Sequence, residues 1–120
     1  MGQSYRDLFA WQKAMRFVIE IYKCTRSFPR DETFGLAAQL RRTAVVIPAS
    51  IADRQARYSP HEFFSFLGRA RGALVEVETE IILATELSYI PTEQSQNLLE
   101  TAAELGKILN GLIGAIRPAA

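Results

Sequence analysis

The stretch that decides the fold is Phe34–Arg54, FGLAAQLRRTAVVIPASIADR. Ala37, Leu40, Ala44, Ile47 and Ile51 recur at the three- and four-residue steps of one buried helical face. Val45, Val46, Ala49 and Ala52 place apolar groups on the remaining faces. A helix that is apolar almost all round requires cover on more than one side. In a chain of 120 residues, one side is expected to pack on the chain's own bundle and the other on a neighbouring copy. Val45, Val46, Ala49 and Ala52 are thus the candidate oligomer interface. Pro48 falls inside the helix, where its missing N–H removes one backbone hydrogen bond and is expected to bend the axis.

Upstream, a first helix is expected from about Asp7 to Ser27, started by Ser4 with Asp7 three residues on and stopped by Pro29. Leu8, Trp11, Met15, Val18 and Tyr22 form its bundle seam, widened by Phe17, Ile21, Cys24 and Phe28. Lys13, Arg16, Glu20 and Lys23 occupy the opposite side. Asp31 is the expected cap of the second helix.

Downstream, Ser59-Pro60-His61-Glu62 has the form of a capping box with proline in the first helical position. The third helix then carries Phe63, Leu67, Ala70, Leu74, Val77, Ile81 and Ala84 at bundle spacing. Gly68 and Gly72 each weaken it by roughly 1 kcal/mol relative to alanine, which predicts a tight helix crossing there. Thr92 is the expected cap of a fourth helix with the seam Leu98, Ala102, Leu105, Leu109, Leu112 and Ile116. No strand-like alternation intervenes. The expectation is an all-α, antiparallel up-down-up-down four-helix bundle in one domain over 1–120, with helices near 7–27, 32–57, 60–88 and 93–116.

Composition narrows the function classes. The chain is 48% hydrophobic and 22% charged, as suits a globular protein. Its longest apolar run, Thr43–Ala52, falls short of the roughly 18 residues of a membrane span. MGQSYRDLFAW has no apolar secretory core, and Arg6 stands where a myristoylation signal needs Ser or Thr. A cytoplasmic location with no membrane partner is expected. The net charge of +1 conceals a balance of +5 over residues 1–60 and −4 over residues 61–120. Basic and acidic helices lying side by side, within or between subunits, account for that asymmetry.

The chain resembles the four-helix-bundle proteins of the 23S rRNA intervening-sequence family. The matching pieces are Tyr5-Arg6-Asp7-Leu8, Trp11-Gln12-Lys13-Ala14, Ile21-Tyr22, Phe28-Pro29, Phe34-Gly35-Leu36 and Gln39-Leu40-Arg41-Arg42. Ile47-Pro48, Ser50-Ile51-Ala52-Asp53, the run Arg71–Thr79 and Leu87-Ser88-Tyr89 continue the match in order. The family's Asn-Ile-Ala-Glu-Gly is Ser50-Ile51-Ala52-Asp53-Arg54 here, its Gly-Ser is Gly72-Ala73, and its Leu-Gly-Tyr is Leu87-Ser88-Tyr89. The resemblance implies the bundle and a ring-like homopentamer. Related accessory proteins of diversity-generating retroelements are strongly basic, whereas this chain is near neutral.

Chemistry-bearing groupings are sparse. His61 is the sole histidine and no Glu-x-x-His pair occurs, which argues against a di-iron bundle site. Glu76 and Glu80 are instead expected to meet Arg41 or Arg42 in an internal ion-pair network. Cys24, the sole cysteine, lies on a seam as an inert buried thiol, and no nucleophile elbow or phosphate-cradling loop is present. The chain reads as a non-enzyme without a cofactor, a homo-oligomeric binding or accessory module. The alternative is RNA or DNA binding through a basic rim of Arg41, Arg42, Arg54 and Arg57, joined by Arg6, Lys13, Arg16 and Lys23, with Tyr5 and Tyr58 as base-stacking candidates.

Overall fold

A computed structural model of the chain describes residues 4–56 and 60–116. A short 3-10 turn, Tyr5–Asp7, leads into α1 (Phe9–Thr25), and a second, Arg30–Glu32, leads into α2 (Leu36–Ala56). Then come α3 (Pro60–Glu86) and α4 (Thr92–Ile116). No strand occurs among the described residues. Each helix packs on its neighbours in the chain, and α4 closes on α1, with no contact across either diagonal among the described residues. Thr85 reaches Ser95 at one end of the α3–α4 pair, and Arg71 reaches Asn110 at the other. These pairings are consistent with an up-down-up-down bundle.

The core is one seam per helix. On α2, Leu40, Ala44, Ile47 and Ile51 are each 0% exposed. On α3, Leu67, Ala70, Leu74, Val77, Ile81 and Ala84 are buried at the expected spacing. The α1 seam agrees with expectation in part: Phe17, Val18, Ile21, Cys24 and Phe28 are buried, but Ala10 and Ala14 also face inward, while Met15 and Tyr22 lie outside. Alanine at positions 10 and 14 lets the α1 backbone approach its neighbours, and a pattern counted on large apolar residues misses such positions. On α4 the last inward residue is Ile113, with Leu112 only half-buried.

Helix ends also depart from expectation. The Ser4 hydroxyl accepts from Arg6 N–H at 3.1 Å and caps the first 3-10 turn, so α1 begins at Phe9 instead of Asp7. Its end comes at Thr25, whose hydroxyl donates to Ile21 O at 2.8 Å. Glu32, and not Asp31, caps α2, its Oε1 accepting from Leu36 N–H at 2.9 Å. The other oxygen, Oε2, accepts from the Tyr89 hydroxyl at 3.0 Å. Tyr89 itself packs against Phe28, ring centroids 5.3 Å apart. A methyl group on Gly35 would lie 2.5 Å from Glu32 Oε1, so the glycine makes room for the cap. At the start of α4, Ser95 N–H donates to Pro91 O at 2.9 Å, which leaves Thr92 as the first helical residue. The Ser59 half of the capping box lies outside the described residues.

The end of α3 is closed by a six-residue loopback. Tyr89 N–H donates to Ala84 O at 2.9 Å and Ser88 N–H to Thr85 O at 3.0 Å, while Ser88 adopts φ 65°. That pair of bonds with a left-handed residue is the Schellman motif, whose usual residue there is glycine. A side chain in this conformation costs about 1 kcal/mol. Ser88→Gly is therefore expected to raise the thermal midpoint by about 3–6 °C, as read by circular-dichroism melting. A lowered midpoint would mean that the serine hydroxyl contributes more than the strain removes.

Candidate functional site

An open surface feature follows the seam between α2 and α3. It consists of two adjoining hollows of about 390 and 290 Å³ that share Arg42, Val46 and Arg69. The first continues past Gln39 and Thr43 to Gly72 and Glu76, and the second past Val45 and Ala49 to Asp53. The groove exists because both helices turn their bulky seams inward. Gly72 and Ala73 on α3 then leave little side chain to fill the outer edge.

Val45 is 41% exposed, Ala49 is exposed, and Val46 and Ala52 are half-buried. Val46 also packs on the core from its outer edge. The four residues thus share the outer side of α2, along and beside the groove. Gly68 and Gly72 do not mark a tight crossing within the subunit. Both are exposed, and a methyl group added to either would meet nothing within 4 Å.

The two central arginines part company. Arg41 turns to α1, donating to Thr25 Oγ1 at 2.7 Å and to Tyr22 O at 3.2 Å. Its guanidinium lies 4.7 Å from the centroid of the Tyr22 ring. The Thr25 hydroxyl also donates to the Tyr22 carbonyl, at 3.1 Å, so Arg41 adds a cation at the C-terminal end of α1, where the helix dipole favours one. Arg42 is exposed and faces the groove. Lys13 is likewise engaged, donating to Glu104 on α4 at 2.6 Å. Arg57 lies outside the described residues, as do Tyr58 and the side chain of Arg54. A basic rim on α2 is thereby reduced, among the described side chains, to Arg42, with Arg69 opposite it on α3.

The internal network of Arg41 and Arg42 with Glu76 and Glu80 does not form as drawn from the sequence. Arg41 points away from α3, and no ion pair within 4 Å joins these four residues. Glu80 is the informative member. It is 7% exposed, and its Oε1 has no hydrogen-bond partner. The neighbouring Thr43 hydroxyl directs its proton to Gln39 O at 2.8 Å. Burial pushes the Glu80 carboxyl above its ordinary range; the Gln39 and Thr43 side chains and the Arg42 charge oppose this, and Glu76 adds to it. The i,i+4 periodicity that placed Glu80 near Glu76 carried no sign of its depth, because the residue that covers it comes from α2.

Cys24 is buried on the α1 seam, and burial followed by the Glu20 charge pushes its thiol up to about 11. It is a protonated core residue at neutral pH. Among the described residues no group of three His, Cys, Asp or Glu side chains is placed to share a metal ion. No described helix is long and apolar enough to cross a membrane.

These features belong to a recognised group. The sequence profile of the 23S rRNA-intervening sequence protein family matches residues 6–111, and the chain belongs to that family. Its fold is similar to that of a Bacteroides thetaiotaomicron protein of unknown function from the S23 ribosomal protein family. That likeness has a TM-score of 0.81, covers 88% of this chain and 95% of the other, and comes at 23% sequence identity. No curated protein matches the chain.

A raised carboxyl pKa in the folded state means that the folded chain holds its proton more tightly than the unfolded chain. Stability from this group is then present at low pH and lost as pH rises from about 4.5 through the raised value. Glu80→Gln is expected to melt at a higher temperature than the parent at pH 7 and at nearly the same temperature at pH 4. A variant less stable than the parent at pH 7 would show that the carboxylate is held by partners and is not merely buried.

Proposed function

We propose that the chain is a non-enzymatic, self-associating accessory module of the cytoplasm, a homopentamer as the family resemblance implies. The observation that supports this is apolar surface on helix faces that the bundle has no use for. Each helix already buries an inward seam, yet Val45 remains 41% exposed on α2 beside Ala49 and the open groove. Apolar groups that adjoin one another and an open groove are the kind of surface that interaction sites use. A neighbouring copy laid against the outer side of α2 covers Val45, Val46, Ala49 and Ala52 together. The test is Val45→Asp, chosen over a change at Val46 because Val46 also packs on the core. We expect the variant to keep its helical spectrum and to sediment as a smaller species than the parent. An unchanged mass contradicts this placement.

A second reading, RNA or DNA binding, is favoured by the two groove-facing cations Arg42 and Arg69, neither within 4 Å of a carboxylate among the described residues. Repetition of the pair around an oligomer multiplies weak phosphate contacts. Structured RNA and duplex DNA should then bind with an affinity that falls linearly with salt on logarithmic axes. Arg42→Ala/Arg69→Ala should weaken binding and flatten that slope, with Arg41 left intact because it secures the end of α1. Absence of binding at low salt removes this reading and leaves the protein-binding module.

A further inference from the structure

The outer faces of α1 and α3 form a second pattern of exposed residues. On α1, Gln12, Arg16, Ile19, Lys23 and Arg26 follow alternating four- and three-residue steps directly opposite the buried seam. Ile19 is 49% exposed at the centre of this face, and Phe9, Met15 and Tyr22 flank it at 59%, 36% and 40%. On α3, Gly68, Gly72, Val75, Thr79, Ile82 and Glu86 keep the same alternation, again opposite the core and again all exposed. Val75, Ile82 and Leu83 are 58%, 51% and 49% exposed. Outward faces of a bundle ordinarily carry charge at these positions. Here both carry a line of large apolar groups set among charges.

The charges differ in sign. The α1 face holds Arg16, Lys23 and Arg26 against Glu20 alone, and the α3 face from Val75 onward holds Glu76 and Glu86 with no basic residue. The lengths are similar, since Phe9 to Tyr22 spans about 20 Å of helix and Val75 to Glu86 about 17 Å. The two helices lie on a diagonal of the bundle with no close backbone approach among the described residues, and their outer faces point away from the core, so neither face can satisfy the other within one subunit. A second copy supplies each with its complement. Pairing α1 with α1 would set like charges together, which disfavours a two-fold contact; pairing α1 with α3 sets opposite charges together.

We propose that a second copy of this chain docks the outer face of its α1 on the outer face of α3. The contact is head-to-tail, with Ile19 and Ile82 at its centre. It rests on the reading of the protein as self-associating and deepens it by naming the two surfaces that meet. Gly68 and Gly72, open to solvent with no neighbour within 4 Å, let the incoming helix lie close along the first part of α3. Gly72 also lines the α2–α3 groove, so this contact is continuous with the apolar side of α2. Each copy keeps one free face of each kind, which produces a ring when the rotation closes.

Head-to-tail docking has a diagnostic consequence for mixtures. Ile19→Asp removes only the α1 face and Ile82→Asp only the α3 face, so each variant alone should lose the parent's assembly. An equimolar mixture should regain a two-subunit species, because the intact α3 face of one meets the intact α1 face of the other. Analytical ultracentrifugation reads all three samples, and circular dichroism confirms that both variants remain helical. A second arm tests the charges: Arg16→Glu/Lys23→Glu and Glu76→Lys/Glu86→Lys should each reduce assembly, and the four changes in one chain should restore it. A parent that is monomeric overturns the self-association reading itself. A parent that assembles, with variants that assemble equally well or a mixture and a four-change chain that both remain monomeric, overturns this docking while leaving self-association in place.

Discussion

The bundle depends on burying the inner stripe of α2 between two different neighbours. Leu40, Ala44, Ile47 and Ile51 are wholly excluded from water, and α2 packs on both α1 and α3. Each fully buried Leu or Ile contributes about 1.5–3 kcal/mol, so this stripe outweighs any single polar contact on the surface. The cost is accepted inside the helix, where buried Pro48 cannot donate to Ala44 O. Because α2 is gripped from both sides, its remaining apolar groups have no place in the monomer and emerge on the outer side as Val45 and Ala49.

The connection that sets α2 at its place is a set of polar contacts around Glu32 and Arg41. One carboxylate caps α2 and anchors Tyr89 from the far end of α3, so two loops at the same end of the bundle are tied through a single side chain. Gly35 supplies the space for it. Arg41 ties α2 back to the last turn of α1 through Thr25 and the Tyr22 carbonyl. This arrangement decides what remains for binding. A structural role absorbs Arg41, Lys13 is absorbed by Glu104, and the groove retains Arg42 and Arg69.

The fold was legible in the sequence wherever a seam was built from large side chains. Leu40 through Ile51 and Leu67 through Ala84 stand where their spacing put them. The α1 seam was legible in Phe17, Val18, Ile21 and Cys24 but missed Ala10 and Ala14, because alanine is apolar without being conspicuous. The starts of α1 and α2 slipped by two and four residues because Ser4 and Glu32 serve 3-10 turns and caps whose geometry depends on Leu8 and Gly35, while α3 begins at Pro60 as expected. The candidate site was legible only in part. The outward apolar groups of α2 follow from counting faces on one helix. The direction of Arg41, the depth of Glu80 and the openness around Gly68 and Gly72 depend on which neighbour lies on which side. The charge split between the chain halves reappears as a mostly basic outer face on α1 and an acidic stretch of α3 from Val75 onward. Arg69 and Arg71 keep the earlier part of α3 basic.

Membership of the 23S rRNA-intervening sequence protein family and the bundle geometry lead to one physical picture. A small bundle satisfies its own core with one seam per helix and carries apolar surface outward on α1, α2 and α3. Under the proposed self-association, another copy covers those surfaces together. The most direct test is the solution mass of the unmodified 13.5 kDa chain by sedimentation equilibrium across a wide concentration range at physiological salt. The account predicts a single species at a whole multiple of that mass, five being the multiple the family resemblance implies. A species that stays at 13.5 kDa at every concentration contradicts it.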